Sequence, residues 1–383
     1  MLSLLAKLGG RAMLGEFALA VAITAPVAML AHLNLRAVLA TDVSGQRRFG
    51  DYLAVRFAAS GLGLAAIAAL ALAAGSSPEI SAVIFLVGLS LTSETVSDAY
   101  YGAMQRRDEM HRIARSMMAR GILSAACFGL ALWAWSSLLI AAAAVALIRL
   151  ALLIGWDRPA GASGEQLDGA SYAGARAVLR HALPLGAVLM LVSLNTNLPR
   201  YVIEHHMGLA ELGAFAAVAS FVTAGSTIVN ALGQSATPRL ARFAGHHQTR
   251  EFLGLVGKLG LLVLCLGLAG ALASALFGRF ILSVAYRPEY ASYAGLLVAV
   301  MGAAIPAYLA GALGYAVTAV RAFDQQVPLF IVSALVCGGA SWLLVPVYGL
   351  PGGAAAMAIA ALAQISGQAF ILRRALRRLE APQ

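Results

Sequence analysis

Charged residues are scarce in this sequence. They make up 11% of its 383 residues, whereas hydrophobic residues make up 61%. An average soluble chain carries about 25% charged residues, because its surface faces water. The scarcity therefore excludes a chain of soluble domains. The apolar residues occur in runs of about 20, the length of a helix that crosses ~30 Å of hydrocarbon. We predict an all-α, polytopic membrane protein.

Cysteines and catalytic motifs are also few. The three cysteines, Cys127, Cys265 and Cys337, stand apart from one another in apolar runs, which argues against a disulfide framework and a Cys/His metal site. The sequence contains no GxxxxGK[ST] phosphate-binding loop, no GxSxG and no HExxH. We therefore expect no metal, no cofactor and no enzymatic activity.

Eleven apolar runs are predicted to span the membrane. They are residues 17–33, 53–74, 81–104, 121–135, 138–156, 182–201, 213–235, 259–277, 291–319, 328–348 and 352–372. The connections on one side hold 20 Lys and Arg residues, and those on the other side hold 3. Because basic connections stay in the cytoplasm, the C-terminus is predicted to be cytoplasmic. This asymmetry explains the net charge of +10 without a nucleic-acid partner.

An internal repeat links the two halves of the sequence. Residues 10–17 and 208–215 share five identical residues at an offset of 198, and each octet opens an apolar run. Two parallel repeats are a known transporter architecture. We predict two lobes, 1–157 and 182–383, joined by a cytoplasmic linker at 158–181. Only nine residues precede the first octet, so we expect eleven helices of a twelve-helix plan, with the first helix missing.

Arginines within or beside the predicted spans are the first candidate site residues. Arg149 lies about 10 Å inside its span at 1.5 Å per residue, whereas Arg36 and Arg56 lie near the cytoplasmic ends of theirs. Arg200 closes the outer end of the first span of the second lobe. The guanidinium group suits phosphate, because it stays charged and donates hydrogen bonds in a planar fork. Snorkelling to the membrane surface is the alternative interpretation, strongest for Arg36 and Arg56.

Two carboxylates are the acidic counterparts. Glu94 and Asp98 lie four residues apart, which places them on one face of a helix near mid-membrane. They are predicted either to form a structural ion pair with an arginine such as Arg149 or to bind a coupling proton or sodium ion.

A neutral polar cluster lies near the outer end of span 182–201. It comprises Asn195, Thr196 and Asn197. These side chains are predicted either to bind sugar hydroxyls or to hold helices together by hydrogen bonds.

Four blocks of the sequence resemble the bacterial polysaccharide-repeat flippases of the multidrug/oligosaccharidyl-lipid/polysaccharide exporter superfamily. The blocks are Leu35-Arg36-Ala37 with Thr41-Asp42, Phe49-Gly50-Asp51-Tyr52 and Arg56; Ser97-Asp98-Ala99-Tyr100-Tyr101-Gly102 with 105–110 and Arg120-Gly121; Asn197-Leu198-Pro199-Arg200-Tyr201 with Gly208, Leu212-Gly213, 230–235 and Pro238-Arg239-Leu240; and Tyr286-Arg287-Pro288-Glu289-Tyr290. The resemblance extends over essentially the whole chain.

The resemblance implies a two-lobe secondary transporter in the bacterial cytoplasmic (inner) membrane. Such a protein flips undecaprenyl-pyrophosphate-linked oligosaccharides to the outer leaflet, for O-antigen of lipopolysaccharide, capsule or exopolysaccharide assembly. Its implied partners are that lipid-linked oligosaccharide, membrane lipids, a proton or sodium counter-ion and the polysaccharide polymerase machinery. The family uses cavity arginines for pyrophosphate or acidic sugars, for which Arg36, Arg56, Arg149 and Arg200 are the candidates here.

Four alternatives are kept. A multidrug exporter and a peptidoglycan-precursor flippase share the superfamily, but an exporter of organic cations is expected to have more acidic than basic groups in its spans. A membrane-bound glycan polymerase or ligase is disfavoured by the short outer connections. An inactive remnant is the fourth.

Overall fold

The computed structural model describes residues 1–40, 48–73, 77–163, 169–320 and 322–380. These residues form α-helices, with one π-helical turn at Leu153–Asp157 and one 3-10 segment at Pro288–Tyr293. The α-helices are α1 Leu2–Leu8, α2 Gly10–His32, α3 Leu35–Ala40, α4 Phe49–Ala73, α5 Pro78–Arg106, α6 Met110–Trp135, α7 Leu138–Leu152, α8 Arg158–Ala162, α9 Tyr172–Met207, α10 Leu209–Gly245, α11 Thr249–Ala285, α12 Ala294–Ala319, α13 Phe323–Tyr348 and α14 Leu350–Glu380.

The predicted fold class is confirmed. Within the described residues, eleven helical segments are long and apolar enough to cross a membrane, and each corresponds to one predicted span. Helices are the expected outcome, because a backbone in hydrocarbon must satisfy its hydrogen bonds within the segment. Residue 74, the end of the second predicted span, lies outside the described residues.

Several helices extend well beyond the predicted spans. α10 and α11 each contain 37 residues, about 55 Å at 1.5 Å per residue, so they exceed the ~30 Å of hydrocarbon. The basic connection predicted at 236–258 is mostly helix, because α10 continues to Gly245 and α11 begins at Thr249. Hydropathy detects only the apolar middle of a helix, whereas the hydrogen-bonded backbone continues into its polar ends.

Apart from its first two residues, the chain divides into two compact units, Ser3–Leu194 and Asn195–Gln383. The division lies within α9, whose early residues Val178 and Ala182 are buried in the core of the first unit. The lobe boundaries expected at 157 and 182 stay a prediction, and residues 164–168 of the expected linker lie outside the described residues.

Matching backbone geometry accompanies the sequence repeat. Gly10 has φ +82° and Gly208 has φ +83°, a conformation that side chains with a Cβ rarely adopt. Gly10 is the first residue of α2 and follows Gly9, which separates it from the end of α1 at Leu8, and Gly208 separates α9 from α10. At the offset of 198, α1 corresponds to residues 200–206 at the end of α9. The two octets therefore form the same helix–glycine–helix junction.

The units differ in the helix that follows this junction. α2 ends at His32, where Leu33 and Asn34 adopt left-handed conformations with φ of 51° and 49°, and α3 begins at Leu35. α10 continues unbroken through Pro238. The break leaves backbone carbonyl groups at the end of α2 without helical partners.

Each unit has its own apolar core. In the first unit, Leu33, Leu35 and Leu39 pack with residues of α4 and α5, including Tyr52 and Val96. In the second, buried residues of α10, α11, α12 and α14 pack together. The first core holds the broken α2–α3 segment against α5, which carries the carboxylates described next.

Candidate functional site

The first unit contains a cavity of about 450 Å³ among α2, α5, α6 and α7. Four of the eight predicted site residues line it, namely Arg36, Glu94, Asp98 and Arg149. The full lining comprises Met1, Ala28, Met29, His32, Arg36, Leu91, Glu94, Thr95, Asp98, Tyr101, Met117, Arg120, Gly121, Ser124, Ala125 and Arg149. The long-range contacts of α5 thus gather charges that are distant in sequence.

Glu94 and Arg149 form an ion pair across the cavity wall. Nη1 of Arg149 donates to Oε2 of Glu94 at 2.7 Å. An arginine at the centre of a membrane helix costs about 2.5–3.5 kcal/mol on insertion scales, and a carboxylate partner offsets part of that cost. The Glu94 side chain is 50% exposed, against 17% for Arg149, so the pair is accessible from its acidic side.

Asp98, one turn after Glu94, connects the two sides of the α2–α3 break. Its Oδ2 lies 3.0 Å from Nε2 of His32, the last residue of α2, and its Oδ1 accepts from Nη1 of Arg36 on α3 at 3.4 Å. Nε of Arg36 donates to Oε1 of Gln105 at 2.9 Å. The carboxylate therefore contacts both side chains that flank the break, His32 and Arg36.

Arg56 has a different position. Its side chain is fully buried on α4, and Nη1 donates to the carbonyl oxygen of Ala31 at 3.1 Å. That carbonyl lies at the end of α2, where a cation also interacts favourably with the helix dipole. Arg56 is not among the residues that line the cavity. It stabilises the end of the helix that carries His32.

A second ion pair, which is buried, joins α6 to the π-helical turn. Nη2 of Arg120 donates to Oδ2 of Asp157 at 2.7 Å, and their side chains are 7% and 0% exposed. The Ser116 hydroxyl donates to Oδ1 of Asp157 at 2.5 Å and is itself 2.6 Å from the hydroxyl of Tyr101. A short polar network thus holds one side of the Arg120 guanidinium.

Tyr101 brings two guanidinium groups onto one ring. The Cζ atoms of Arg36 and Arg120 lie 5.8 and 5.7 Å from its ring centre, within the range of a cation–π contact. Both arginines line the cavity.

The remaining predicted residues lie in the second unit. Nδ2 of Asn195 donates to the Ser333 hydroxyl at 3.1 Å, and Gln364 donates to the same hydroxyl at 2.8 Å. Nη1 of Arg200 donates to Oδ1 of Asn197 at 2.9 Å. These contacts are neutral or singly charged, unlike the ion pairs of the first unit. The structure does not bring Asn195, Asn197 and Arg200 into the charged cavity.

Known proteins share this architecture. No protein-family model matches the chain. The capsular polysaccharide biosynthesis protein CapF of Staphylococcus aureus is 22% identical over 378 residues, which cover 97% of this chain and 94% of CapF. Among solved structures, a multidrug resistance MATE family transporter of the MOP superfamily gives a TM-score of 0.77 at 14% identity, covering 99% of this chain and 96% of that one. The lipid II flippase MurJ gives 0.75 at 11% identity, covering 99% and 86%.

This chain has the fold of the MOP superfamily transporters. The resemblance based on the sequence blocks is confirmed, since the sequence relative is a capsular polysaccharide biosynthesis protein and the structural relatives are MOP transporters. The chain is a multi-pass membrane protein. Within the described residues, no group of three or more His, Cys, Asp or Glu side chains is placed to hold a metal ion.

Sequence reasoning missed three charged or titratable members of the MOP-fold cavity and its support: His32, Arg120 and Asp157. Arg120 and Asp157 fall just outside the predicted spans. A signal was present, because Arg120 directly precedes predicted span 121–135 and Asp157 directly follows span 138–156. Adjacent antiparallel spans place these opposite charges at the same depth. The opposite charges of Arg120 and Asp157 at the same depth are therefore a sequence signal that predicts an ion pair between them.

Proposed function

We propose that this protein flips an oligosaccharide linked to undecaprenyl pyrophosphate from the cytoplasmic to the outer leaflet of the bacterial cytoplasmic membrane. The cargo would supply capsule, O-antigen or exopolysaccharide assembly. The principal support is the cavity of the first unit, which Arg149 of the apolar helix α7 and Arg36 of the short helix α3 both line. Fixed guanidinium groups suit the several acceptor oxygens of a pyrophosphate.

The carboxylates of the same cavity fit a coupling role. Glu94 forms an ion pair with Arg149, and Asp98 contacts Arg36 and His32. A phosphate that binds these cations displaces the carboxylates, which then need a new positive partner. We propose that a proton or sodium ion fills that role, so that cargo and counter-ion favour each other's binding.

The other predicted residues support the cargo site in different ways. Arg56 acts indirectly, through the end of α2 that it caps at Ala31. In the second unit, Asn195, Asn197 and Arg200 are proposed to contact the sugar part, for which amide and guanidinium groups are suitable hydrogen-bonding partners. Their present contacts with Ser333 and with each other show that these groups are held in fixed orientations.

Orientation and partners follow from the charge asymmetry. The 20-to-3 distribution of basic residues supports a cytoplasmic C-terminus and loading from the cytoplasmic side. On the outer side, the flipped unit would pass to the polysaccharide polymerase machinery.

Two other cargoes are compatible with the fold. A multidrug resistance MATE family transporter and the lipid II flippase MurJ share the fold, so a drug and a peptidoglycan precursor are the two alternatives. Among the described residues, each carboxylate that lines the cavity is paired with arginine or histidine, which disfavours a cationic cargo. The similarity to CapF over 97% of the chain favours a polysaccharide precursor over a peptidoglycan precursor.

Complementation tests the proposal. The chain is expressed in a strain that lacks its polysaccharide flippase but retains the matching glycan pathway, and surface polysaccharide is measured. We expect export with the native chain, a loss of at least about tenfold with Arg149→Ala, and partial recovery with Arg149→Lys, because a charge-assisted hydrogen bond contributes ~1.5–3 kcal/mol. Arg115→Ala, which removes an exposed arginine of α6, is the matched control and should export normally.

Membrane levels of each variant are measured in parallel. Normal export by Arg149→Ala would exclude its phosphate role. Rescue of a strain depleted of its peptidoglycan-precursor flippase, or drug resistance without polysaccharide export, would replace the proposed cargo with one of the alternatives.

A further inference from the structure

The first unit also contains a groove of about 360 Å³, whose walls belong to α4, α5, the π-helical turn and α8. None of its described lining residues belongs to the cavity of about 450 Å³. Its apolar lining comprises Leu53, Phe57, Val96, Leu153, Ile154 and Ala162. Phe57 and Ile154 are 53% and 60% exposed, so the groove opens to the outside of the unit.

The open side of the groove is expected to face lipid. α4 is long and apolar enough to cross a membrane, and it also exposes Leu62 and Leu72, at 73% and 80%. Exposed apolar side chains on such a helix are stable only against hydrocarbon. An acyl chain is therefore the natural occupant of the apolar part of the groove.

Two polar side chains interrupt this apolar lining. Tyr100 is only 3% exposed, and its hydroxyl has no hydrogen-bond partner among the described residues. Arg158, the first residue of α8, is exposed and forms no ion pair with any described residue. Buried hydroxyl groups are rarely left without a partner, and a guanidinium group suits phosphate oxygens. The two side chains therefore indicate an anionic occupant with acceptor oxygens.

Contacts between α5 and α8 hold the walls of the groove in place. α8 lies so close to α5 that a Cβ added at Gly161 would clash with Tyr100. Arg107, which follows the last residue of α5, donates to the carbonyl oxygens of Ala160 and Gly161 at 2.9 and 3.2 Å. The ring of Tyr100 also packs against that of Phe49, with ring centres 6.1 Å apart. The groove is thus formed before a ligand arrives, which lowers the cost of binding.

The polar and apolar parts of the groove lie at different depths. Leu53 and Tyr100 are near the ends of α4 and α5 that are predicted to be cytoplasmic. Phe57 and Val96 lie four residues deeper on the same helices, about 6 Å at 1.5 Å per residue. An amphiphile with its anionic group at the cytoplasmic surface and its chain in the membrane matches this order. The cytoplasmic leaflet supplies such molecules, since its surface is negatively charged.

We propose that this groove binds an anionic phospholipid of the cytoplasmic leaflet, with its phosphate at Arg158 and Tyr100 and an acyl chain against Phe57 and Ile154. The unpaired charge of Arg158 favours a head group of net negative charge over a zwitterionic one. This inference goes beyond the proposed function, because the lipid stays bound to the protein and is not the transported cargo.

The bound lipid also contacts an element that supports the first cavity. Leu153 and Ile154 of the π-helical turn line the groove, and Asp157 of the same turn pairs with Arg120. A ligand that binds the folded chain but not the unfolded chain stabilises the fold. We therefore expect the lipid to raise the Tm of the protein.

The test uses the full chain purified in detergent, and native mass spectrometry measures the lipid bound to it. One probe is dioleoylphosphatidylglycerol. A second is dioleoylphosphatidylcholine, which has the same chains and a zwitterionic head group. The third is glycerol phosphate, which has no chains. We expect phosphatidylglycerol to bind about fivefold more tightly than phosphatidylcholine, the contribution of one basic residue near an anionic head group. Glycerol phosphate should not compete with it.

Charge variants test the head-group contact. Arg158→Gln should bind phosphatidylglycerol only as well as phosphatidylcholine, and the anionic lipid should no longer raise its Tm above the value in phosphatidylcholine. Arg250→Gln is the matched control, because it removes the same charge from an exposed arginine at the start of α11 and on the same predicted side. This variant should bind like the native chain.

Two further variants separate the hydroxyl from the chain pocket. Tyr100→Phe removes only a hydroxyl without a partner among the described residues, so both lipids should bind severalfold more weakly while the Tm of the lipid-free protein is unchanged. Ala162→Phe fills the groove and should weaken both lipids without changing the preference between them.

Three results would overturn the site: equal binding of the two lipids to the native chain, native affinity for phosphatidylglycerol in Arg158→Gln, or an equal loss in Arg250→Gln. Competition by glycerol phosphate would replace the lipid with a free phosphate and would also overturn it. None of these results bears on the cargo, which the complementation experiment tests separately.

Discussion

The two units begin with the same helix–glycine–helix junction but form different polar contacts between their helices. In the first unit, the apolar helices contain ion pairs, Arg149 with Glu94 and Arg120 with Asp157. In the second unit, the interhelical contact at Asn195 joins it to the hydroxyl of Ser333, which is neutral. Charged pairs in a low-dielectric interior carry a large desolvation cost, whereas neutral hydrogen bonds carry a small one.

This difference bears on which unit would bind the charged part of the proposed cargo. A buried ion pair gives little or no net stability over an apolar pair, so its presence is poorly explained by folding alone. Arg149, Glu94 and Arg120 of these pairs also line the cavity of the first unit. We therefore assign ligand chemistry mainly to the first unit and expect mutations there to separate function from stability.

The largest effect on stability is expected from Asp157→Asn. The substitution leaves Arg120 buried without its counter-charge, and removing one partner of a buried pair costs about 3–5 kcal/mol. The free energy of unfolding is measured by reversible unfolding in mixed micelles. Adding Arg120→Gln should recover most of the loss, because the orphaned charge is removed. If the single variant is no less stable than the double variant, Arg120 and Asp157 are not an energetically coupled buried pair.

The sequence determines the spans of this fold better than their ends. A backbone in hydrocarbon has to be helical, so apolar runs such as 259–277 identify helices directly. The true start of α11 at Thr249 depends on polar turns that face water, which hydropathy does not register.

The sequence predicts site residues where charged side chains lie deep inside an apolar span. The sequence offers Glu94 and Arg149 as one possible ion pair, and the structure joins them at 2.7 Å. Arg56 could not be understood in this way. Its partner, the Ala31 carbonyl, is available because α2 ends at His32, and no glycine or proline at 33–34 marks that break. The break is a tertiary feature, held from outside the segment by Asp98 and Arg56.

An intermediate effect tests the symmetry of the two units. Gly208 has φ +83° and ψ 178°, a region open essentially to glycine alone, and Gly10 has nearly the same φ. An added Cβ meets no atom within 4 Å at either position, so the cost of alanine arises from the backbone. We expect Gly10→Ala and Gly208→Ala each to lower the free energy of unfolding by about 1–3 kcal/mol.

Gly257→Ala is the control for this pair. Gly257 lies inside α11 with open space around an added Cβ and without a positive φ. Alanine there should be neutral or stabilising by ~0.5–1 kcal/mol, because it lowers the entropy of the unfolded chain. A large loss at only one of the two junction glycines would show that the junctions are not energetically equivalent.

The smallest effect is expected from Asn195→Ala in the second unit. The substitution removes the donor to Ser333, but Ser333 keeps its hydrogen bond from Gln364. Hydrogen bonds between membrane helices average ~0.6 kcal/mol and reach ~1.7 kcal/mol at most. Oδ1 of Asn195 is buried without a hydrogen-bond partner among the described residues, so its removal offsets part of the loss.

A double-mutant cycle with Ser333→Ala measures the coupling, which we expect to stay below about 1 kcal/mol. A coupling as large as that of Arg120 and Asp157 would remove the energetic distinction between this neutral contact and the ion pairs of the first unit. If Asn195→Ala instead abolishes polysaccharide export with stability unchanged, the second unit shares in cargo binding through this amide.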